Sequence, residues 1–287
     1  MEKSLQEMKK NLTQEMKNSE IKILDLEKSL KKLLETKKSI SRFGDGELDL
    51  ILGRPLKFQK LDKKLSERLE EILKSKNDKC LIGVPDAIVT FENLTEESEK
   101  FWIKNMYRTR NSWLKYLDKD TTYCTANITR LYIRYKDKSK CGEYFDLLKK
   151  IWENREVVIC EGEKTRFGVG NDLLSKCKSV QRIICPAENA FDKYDEILET
   201  LRKQKQDKLF IIALGPTATV IAYDLSQEGY QALDIRHCDI EYEWFNRNVV
   251  EKEKIDNKYT NEVSDGNQVN DNFEDEEYKK QIITKII

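Results

Sequence analysis

Two carboxylates stand close together in the segment 39–48, which reads SISRFGDGEL. Asp45 and Glu47 are two residues apart, and each follows a glycine. Gly44 and Gly46 let the backbone adopt φ > 0 and approach a ligand closely. Carboxylates this near to each other repel unless a cation lies between them. Because Mg²⁺ and Mn²⁺ prefer oxygen ligands and share them with substrate phosphates, Asp45 and Glu47 are candidate metal ligands.

The same segment allows a second interpretation. Asp45 and Glu47 could lie in the first turn of a helix that continues over Leu48–Leu52, where the helix dipole favours acidic side chains. Arg42, just upstream, could pair with a phosphate or hold a carboxylate in place.

A second acidic segment spans 234–244 and reads DIRHCDIEYEW. Its acidic and large apolar residues alternate: Asp239, Glu241 and Glu243 with Ile240, Tyr242 and Trp244. In an extended chain the three carboxylates would share one face. Such a row is unfavourable without a cation, a basic partner or a raised pKa. His237, the only histidine, precedes the row and could act as a general base or contact a phosphate, although a structural role is the alternative.

Two further segments follow apolar runs and could contact an anion. Gly215 and Pro216 open a predicted helix, whose free N–H groups could hold a phosphate beside the hydroxyls of Thr217 and Thr219. This is not a Walker loop, because no Gly-Lys-Ser/Thr follows. Glu161, in the run EGEK, could touch a ribose or a phosphate, although a simple turn explains that run almost as well.

Alternating apolar runs and amphipathic segments predict the elements that would position these groups. We expect strands over 80–84, 157–160, 182–185, 209–214 and 231–235, and helices over 91–117, 191–203 and 217–227. This order predicts an α/β fold with a mostly parallel sheet and helices on both faces. Ligands of such sheets bind beyond the carboxyl ends of the strands, where the glycines and acidic residues fall.

The two ends of the chain have different compositions. Residues 1–38 are predicted to form one long amphipathic helix. It could pair with a second copy as a coiled coil, but we favour a helix that lies on its own domain, because the apolar stripe is short and contains two Met. The tail from Asn246 is polar, and its composition suggests a mobile extension.

Composition excludes several classes of protein. The 52 basic and 52 acidic residues cancel, so there is no general attraction to nucleic acid. No apolar run reaches transmembrane length, and residues 1–38 lack the apolar core of a signal peptide, so we expect a cytoplasmic protein. Seven irregularly spaced cysteines without a Cys-x-x-Cys pair indicate neither a disulfide framework nor a zinc site.

Five ordered segments resemble the bacterial GT-D type glycosyltransferases, formerly a domain of unknown function found in loci that glycosylate serine-rich adhesins. The segments are SISRFGDGE at 39–47, EGEK through GVGND at 161–172, ICPA to NAF at 184–191, ALGPTAT at 213–219 and HCDIEYEW at 237–244. The resemblance begins near residue 20, which divides the chain into a helical extension over 1–20 and a GT-D domain over 21–287. It also implies that 258–262 belongs to the folded domain.

The resemblance implies a Rossmann-like domain that transfers a hexose, typically glucose, from a UDP-sugar to a glycan or glycopeptide acceptor with Mn²⁺ or Mg²⁺, in glycoprotein or surface polysaccharide assembly. Asp45 and Glu47 match the family's Asp-x-Glu motif, and Glu241 is a third candidate ligand. The candidate catalytic residues are His237, Glu243 and Asp239. The candidate nucleotide-sugar contacts are Arg42, Phe43, Gly44, Gly46, Glu161, Gly215, Thr217, Thr219 and Lys258. Arg236 stands where a smaller residue is expected in this family.

Two other functions fit the same residues. A metal-dependent sugar-nucleotide hydrolase would be distinguished by testing for transfer to glycan acceptors. An inert nucleotide-binding or scaffold subunit could act through the helix predicted over 1–38, but intact Asp45, Glu47 and His237 argue against it.

Overall fold

A computed structural model describes residues 4–260, 262–269 and 273–287 of the chain. Over these ranges the strands form one parallel sheet in the order β1-β4-β3-β2-β8-β7-β5-β6-β9. The strands are β1 Lys22–Ile23, β2 Ser39–Arg42, β3 Cys80–Val84, β4 Thr122–Thr125, β5 Glu156–Gly162, β6 Ser179–Cys185, β7 Leu209–Ala213, β8 Gln231–Asp234 and β9 Ile282–Lys285. The predicted α/β class with a parallel sheet is confirmed.

Helices cover both faces of the sheet. They are α1 Leu5–Lys17, α2 Leu26–Thr36, α3 Asp45–Ile51, α4 Lys63–Leu73, α5 Glu96–Tyr116, α6 Cys141–Trp152, α7 Tyr194–Arg202, α8 Pro216–Gln227, α9 Cys238–Asn246 and α10 Glu276–Gln281. Side chains alternate between faces along a strand. Accordingly, Val157 and Ile159 of β5 pack in the core that includes α2 and α6, while Val158 and Cys160 pack in the core with α7 and α8.

The strand order reverses between β2 and β8. From β2 the chain fills one side of the sheet through β3 and β4, and β5 to β8 fill the other side. The two central strands share a single registered pair, Ile40 with Leu233, whereas β7 and β8 are in register over four pairs. Such a reversal opens a crevice at the carboxyl ends of the strands, where doubly wound sheets bind their ligands.

The N-terminal segment is not the single long helix that its periodicity predicts. Two helices, α1 and α2, flank the short strand β1, which pairs with β4. Asp25 starts the second helix, because its carboxylate accepts the Lys28 amide at 2.8 Å. Leu12 and Met16 of α1 are buried in the same core as α5, so this amphipathic helix lies on its own domain, as we favoured. The homodimer and the boundary at residue 20 stay predictions.

The C-terminal segment joins the sheet, although its composition suggests mobility. Strand β9 pairs with β6, and the Ile286 amide donates to the Ile184 carbonyl at 2.7 Å. Lys258 and Thr260 are buried. The predicted folding of 258–262 is therefore confirmed for its described residues; Asn261 lies outside them.

The acidic segment is helical rather than extended. Strand β8 ends at Asp234, and α9 follows after His237, which has a φ of 67°. Residues four apart share a helix face, so Asp239 and Glu243 lie together and Glu241 points elsewhere. The two-residue alternation is misleading here because Ile240, Tyr242 and Trp244 are all buried by neighbouring elements.

Among the helices of the described ranges, none is both long and apolar enough to cross a bilayer. The cytoplasmic location stays a prediction. All seven cysteines are free, and Cys160 and Cys185 are buried core residues.

Candidate active site

A cleft at the carboxyl ends of β2 and β8 has two compartments. The wide compartment, about 410 Å³, extends toward the ends of β3 and β4, and its lining includes residues 42–47, Pro85, Phe101, Trp102, Asn127, Arg130 and Arg134. The narrow compartment, about 110 Å³, lies at the ends of β5 to β8, and its lining includes Gly162, Phe167, Pro186, Ala187, Leu214, Gly215 and Tyr259. Phe58, Arg236, His237 and Glu262 line both compartments and mark their junction.

Glu47 is buried, with both carboxylate oxygens engaged. One oxygen, Oε2, accepts the Gly44 amide at 2.7 Å at the start of α3. The other, Oε1, accepts a hydrogen bond from the guanidinium of Arg236. Because α3 begins at Asp45, both carboxylates lie in a first helical turn, as the second interpretation predicts, and both also line the wide compartment.

Asp45 lies beside Glu47 and is partly exposed in the wide compartment. Burial, and then the negative charge of Glu47, raise the pKa of Asp45, while Arg130 acts in the opposite direction. A cation placed here would relieve the repulsion that raises this pKa.

The two carboxylates fit a divalent cation that completes its shell with other ligands. Mg²⁺ commonly takes one or two protein carboxylates and the rest from phosphates and water. Across the described residues, no group of three or more His, Cys, Asp or Glu side chains is arranged as a metal site. A cation at Asp45 and Glu47 would therefore complete its coordination with phosphate or water oxygens, and Arg236 would have to release or share Glu47.

Glu241, the third predicted metal ligand, holds the backbone after β4. It is fully buried, and its Oε2 accepts the amides of Tyr132 and Ile133, each at 3.0 Å. Its Oε1 lies 3.8 Å from the Arg130 guanidinium. Burial raises the pKa of Glu241, and Arg130 opposes that shift. These contacts support a structural role for Glu241 rather than a place among the ligands of a cation.

Arg42 joins β2 to β8. Its Nε donates to the Asp234 carbonyl at 2.6 Å, and its Nη2 lies 3.3 Å from Asp234 Oδ1. Its Nη1 donates to the Ala126 carbonyl at 2.9 Å. The hydroxyl of Thr219 lies 3.1 Å from both Asp234 Oδ2 and the Arg42 carbonyl. Of the two predicted roles, holding a carboxylate is the one these contacts support for Arg42, and Thr219 belongs to the same buried network.

His237 lies at the junction of the two compartments. Its φ of 67° is uncommon for a non-glycine residue and is typical of sites where the surrounding structure imposes a strained backbone. Burial, and then the positive charge of Arg130, hold the pKa of His237 well below its ordinary value. Its Nε2 lies 3.5 Å from Glu262 Oε1. The imidazole is therefore neutral near pH 7 and able to accept a proton.

Glu262 is the anionic partner at this junction. Burial alone would raise its pKa, but the positive charge of Arg130 lowers the pKa of Glu262 below its ordinary value. Arg130 also donates a hydrogen bond to this carboxylate. The junction therefore combines two guanidinium groups, those of Arg130 and Arg236, with a neutral imidazole.

Asp239 and Glu243 belong to one buried polar cluster. Lys258 Nζ donates to Asp239 Oδ2 at 2.7 Å and to Glu243 Oε1 at 2.9 Å. Asn171 Nδ2 donates to Asp239 Oδ1 at 2.8 Å and to Glu243 Oε1 at 2.7 Å. Lys258 is thus the basic partner that the acidic row requires. Of these four residues, Asp239 lines the narrow compartment.

The remaining predicted contacts differ in their surroundings. Gly215 has a φ of 54° and lines the narrow compartment, where an added Cβ would lie 3.2 Å from the Phe58 ring. Thr217 is fully buried, and its hydroxyl has no hydrogen-bond partner among the residues described. Glu161 is fully buried in an ion pair with Arg182 at 2.7 Å and also accepts the Phe167 amide.

Sequence reasoning missed several residues of the cleft. Arg130 and Arg134 follow β4, a strand that was not predicted, and Phe101 lies in the predicted helix over 91–117 but was not a candidate contact. The run ITRLYIR places two Arg four residues apart among apolar residues, and this was the available signal for Arg130 and Arg134.

Several known proteins are similar to this chain in sequence. A family model described as "Glycosyltransferase GT-D fold" matches residues 40–263. "Probable glycosyl transferase Gly" of Streptococcus gordonii is 37% identical over 273 residues, covering 95% of this chain and 40% of that protein. "Glycosyltransferase GlyD" of Streptococcus pneumoniae serotype 4 is 33% identical and covers 100% of this chain and 35% of that protein. The chain thus spans well under half the length of these two relatives.

Solved structures are also similar to this chain over most of its length. One, of a highly conserved domain of unknown function 1792 described as having a distinct glycosyltransferase fold, superposes with a TM-score of 0.89 at 36% identity. It covers 98% of this chain and 99% of its own. Another, described as a new glycosyltransferase of the same domain family from Streptococcus sanguinis, has a TM-score of 0.89 at 37% identity, over 93% of this chain and 100% of that one.

Proposed function

Because the chain belongs to the GT-D glycosyltransferase family, we propose that it transfers a hexose, with glucose as the first candidate, from a UDP-sugar to a glycan or glycopeptide acceptor with a divalent cation. The observation that carries this proposal is the convergence of Asp45, Glu47 and His237 on one cleft at the switch point of the sheet. A nucleotide site at this point is typical of doubly wound folds.

The diphosphate of the donor would lie at the junction of the two compartments. Arg130, Arg236 and His237 line the wide compartment there, and the two guanidinium groups supply positive charge for phosphate oxygens. The narrow compartment suits a flat nucleoside base, because small residues such as Gly162, Ala187 and Gly215 admit close approach and Phe58 and Tyr259 offer aromatic surface. The hexose and the acceptor would then occupy the wide compartment.

Asp45 and Glu47 would hold the cation, with the remaining positions filled by the diphosphate and water. When bound, the cation would neutralise the negative charge that develops on the departing diphosphate. Burial and then the charge of Glu47 raise the pKa of Asp45, and a cation between the two carboxylates would remove their repulsion. In this proposal Arg236 would exchange Glu47 for the diphosphate as the cation enters.

His237 is the best-supported acceptor of the proton from the acceptor hydroxyl. It is neutral because burial and Arg130 lower its pKa, and it lines both compartments. Asp239 and Glu243 were also candidates, but Lys258 and Asn171 already donate to both carboxylates. We propose that these two acids position His237 by fixing the start of α9, and that His237 accepts the proton.

A donor screen tests the proposal. UDP-glucose and other UDP-hexoses are incubated with disaccharide acceptors, with Mn²⁺ or with EDTA, and products are detected by mass spectrometry. Transfer that depends on Mn²⁺ and is lost in Asp45→Asn and Glu47→Gln is the expected result. Asp49→Asn is a matched control, because Asp49 lies in the same helix and pairs with Arg54 at 3.1 Å at the surface. Release of free hexose at the same rate with and without acceptor would instead indicate a hydrolase.

A further inference from the structure

We propose that the first turns of α5 form the acceptor subsite, a binding surface for a saccharide that stacks on Phe101. This inference rests on the proposed function, because it names where the second substrate of that reaction binds. The surface, called here the α5 rim, consists of Glu97, Ser98, Phe101 and Trp102. Their spacing places them on one face of α5, and all four line the wide compartment together with Asp45 and Glu47.

Phe101 is the unusual member of the rim. It is 48% exposed, although large aromatic side chains normally gain stability from burial. Its ring packs edge-on against Trp102, with centroids 5.2 Å apart and an interplanar angle of 82°. The ring is therefore held in a defined orientation while a large part of it faces the compartment. Rigid exposed aromatic surface of this kind offers contact area at low entropic cost.

Two buried hydrogen-bond donors belong to residues that line the same compartment. Trp102 Nε1 and Arg134 Nε are buried with no hydrogen-bond partner among the residues described. The guanidinium of Arg134 lies 5.5 Å from the Trp102 ring centroid and donates to Asn127. Both residues line the wide compartment. Satisfying such a donor removes a desolvation cost, which favours a ligand with many hydroxyl groups.

The chemistry of the rim matches a saccharide better than a nucleoside. A pyranose presents an apolar C–H face for Phe101 and hydroxyls for polar groups such as Ser98, Glu97 and Arg134. The narrow compartment already offers small and aromatic lining suited to a base. If the diphosphate lies at the junction, the donor hexose enters the wide compartment, and the acceptor must approach it from that same side. The α5 rim offers an exposed aromatic side chain, Phe101, on that side.

Saccharide binding tests the subsite directly. Saturation-transfer NMR measures binding of maltose, cellobiose, lactose and N,N′-diacetylchitobiose, with and without UDP and Mn²⁺, and calorimetry measures UDP binding separately. The variants are Phe101→Ala, which removes the platform, and Phe101→Trp, which keeps it. Tyr107→Ala is the matched control, because Tyr107 is also an exposed aromatic residue of α5 (42%) but is not part of the rim.

We expect wild type, Phe101→Trp and Tyr107→Ala to bind at least one disaccharide, and Phe101→Ala to bind it about tenfold more weakly. UDP affinity should be the same in all four proteins. The subsite is overturned if wild type binds none of the disaccharides, or if Phe101→Ala binds them as well as Tyr107→Ala does. It is also overturned if Phe101→Ala loses UDP affinity, since the rim would then hold the nucleoside. Failure of wild type to bind UDP, with saccharide binding intact, would contradict the proposed function alone.

Discussion

The guanidinium of Arg236 donates a hydrogen bond to the carboxylate of Glu47 and so connects the chain after β8 to the first turn after β2. The same guanidinium lies 2.9 Å from Asp234 Oδ1. Burial alone would lower the pKa of Arg236, but Asp234 and Glu47 raise it above the ordinary value. Arg236 therefore stays charged, and a proposed metal ligand, Glu47, is neutralised by the chain's own cation.

Removing this cation should strengthen metal binding in the absence of nucleotide. In Arg236→Met, Oε1 of Glu47 no longer has a competing positive partner, and we expect Mn²⁺ to bind about tenfold more tightly, measured by EPR of free Mn²⁺. Arg54→Met removes a surface arginine from the Asp49 pair and is the control. Equal Mn²⁺ affinity in Arg236→Met and wild type would show that Arg236 does not compete for this site.

Asp45→Asn should make the free protein slightly more stable near pH 7. The pKa of Asp45 is higher in the folded state than in the unfolded state. Ionised Asp45 therefore lowers the free energy of unfolding at pH values above the folded-state pKa, and this effect is absent at pH values below the unfolded-state pKa. Because the side chain is partly exposed, we expect a gain of about 0.5 kcal/mol, or about 1–2 °C in Tm. The extra stabilisation that Mn²⁺ adds to UDP binding should disappear. Calorimetric melts at pH 4 and pH 7 measure both effects; a gain at pH 4 that matches the one at pH 7 would contradict the assignment.

His237 should not titrate with an ordinary histidine pKa. Because burial and Arg130 lower its pKa, the acid limb of kcat/KM for the donor is expected well below pH 6.5 in the free enzyme. The stability that neutral His237 contributes is present above its unfolded pKa and is lost as pH falls below it. His237→Ala should lower kcat about 100-fold and leave UDP affinity nearly unchanged. An acid limb at pH 6.5 in wild type, or normal turnover in His237→Ala, would remove His237 from the proton-transfer step.

Lys258 should behave as a structural cation rather than as a nucleotide contact. Lys258→Met leaves two buried carboxylates without their basic partner, and a loss of about 3–5 kcal/mol in the free energy of unfolding is expected. Adding Asp239→Asn and Glu243→Gln to the same chain should restore part of that stability. Denaturant titration measures both changes. A variant as stable as wild type with weakened UDP binding would support the nucleotide contact instead.

The sequence predicted the sheet where strands are apolar and missed it where a buried strand is polar. Strand β2 reads SISR, which has no hydrophobic signature, yet all four residues are buried. The structure satisfies their polar groups through distant partners: Ser41 donates to the Thr219 carbonyl at 2.7 Å, and Ser39 donates to the Tyr230 carbonyl at 3.1 Å. Partners almost 180 residues or more away cannot be identified from local pattern.

The candidate site, like the sheet, could be predicted from the sequence only in part. Asp45, Glu47 and His237 were found from residue type and spacing, and they do line one cleft. The partners that decide what each group can do could not be identified from the sequence. Arg42 is committed to Asp234, and Lys258 to Asp239 and Glu243, through contacts that exist only in the folded chain.

The position of β2 in the sheet has a consequence for when the site can form during synthesis. One neighbour of β2 is β3, which is translated about 40 residues later. The other neighbour is β8, which pairs with β2 through Ile40 and Leu233 and is translated about 190 residues later. Until then Arg42 has no Asp234 and Glu47 has no Arg236. Parallel pairings between distant segments form slowly, and the edges of the unpaired strands stay exposed until the pairings form. The turn that carries Asp45 and Glu47 is therefore among the first parts of the site to leave the ribosome and among the last to become ordered.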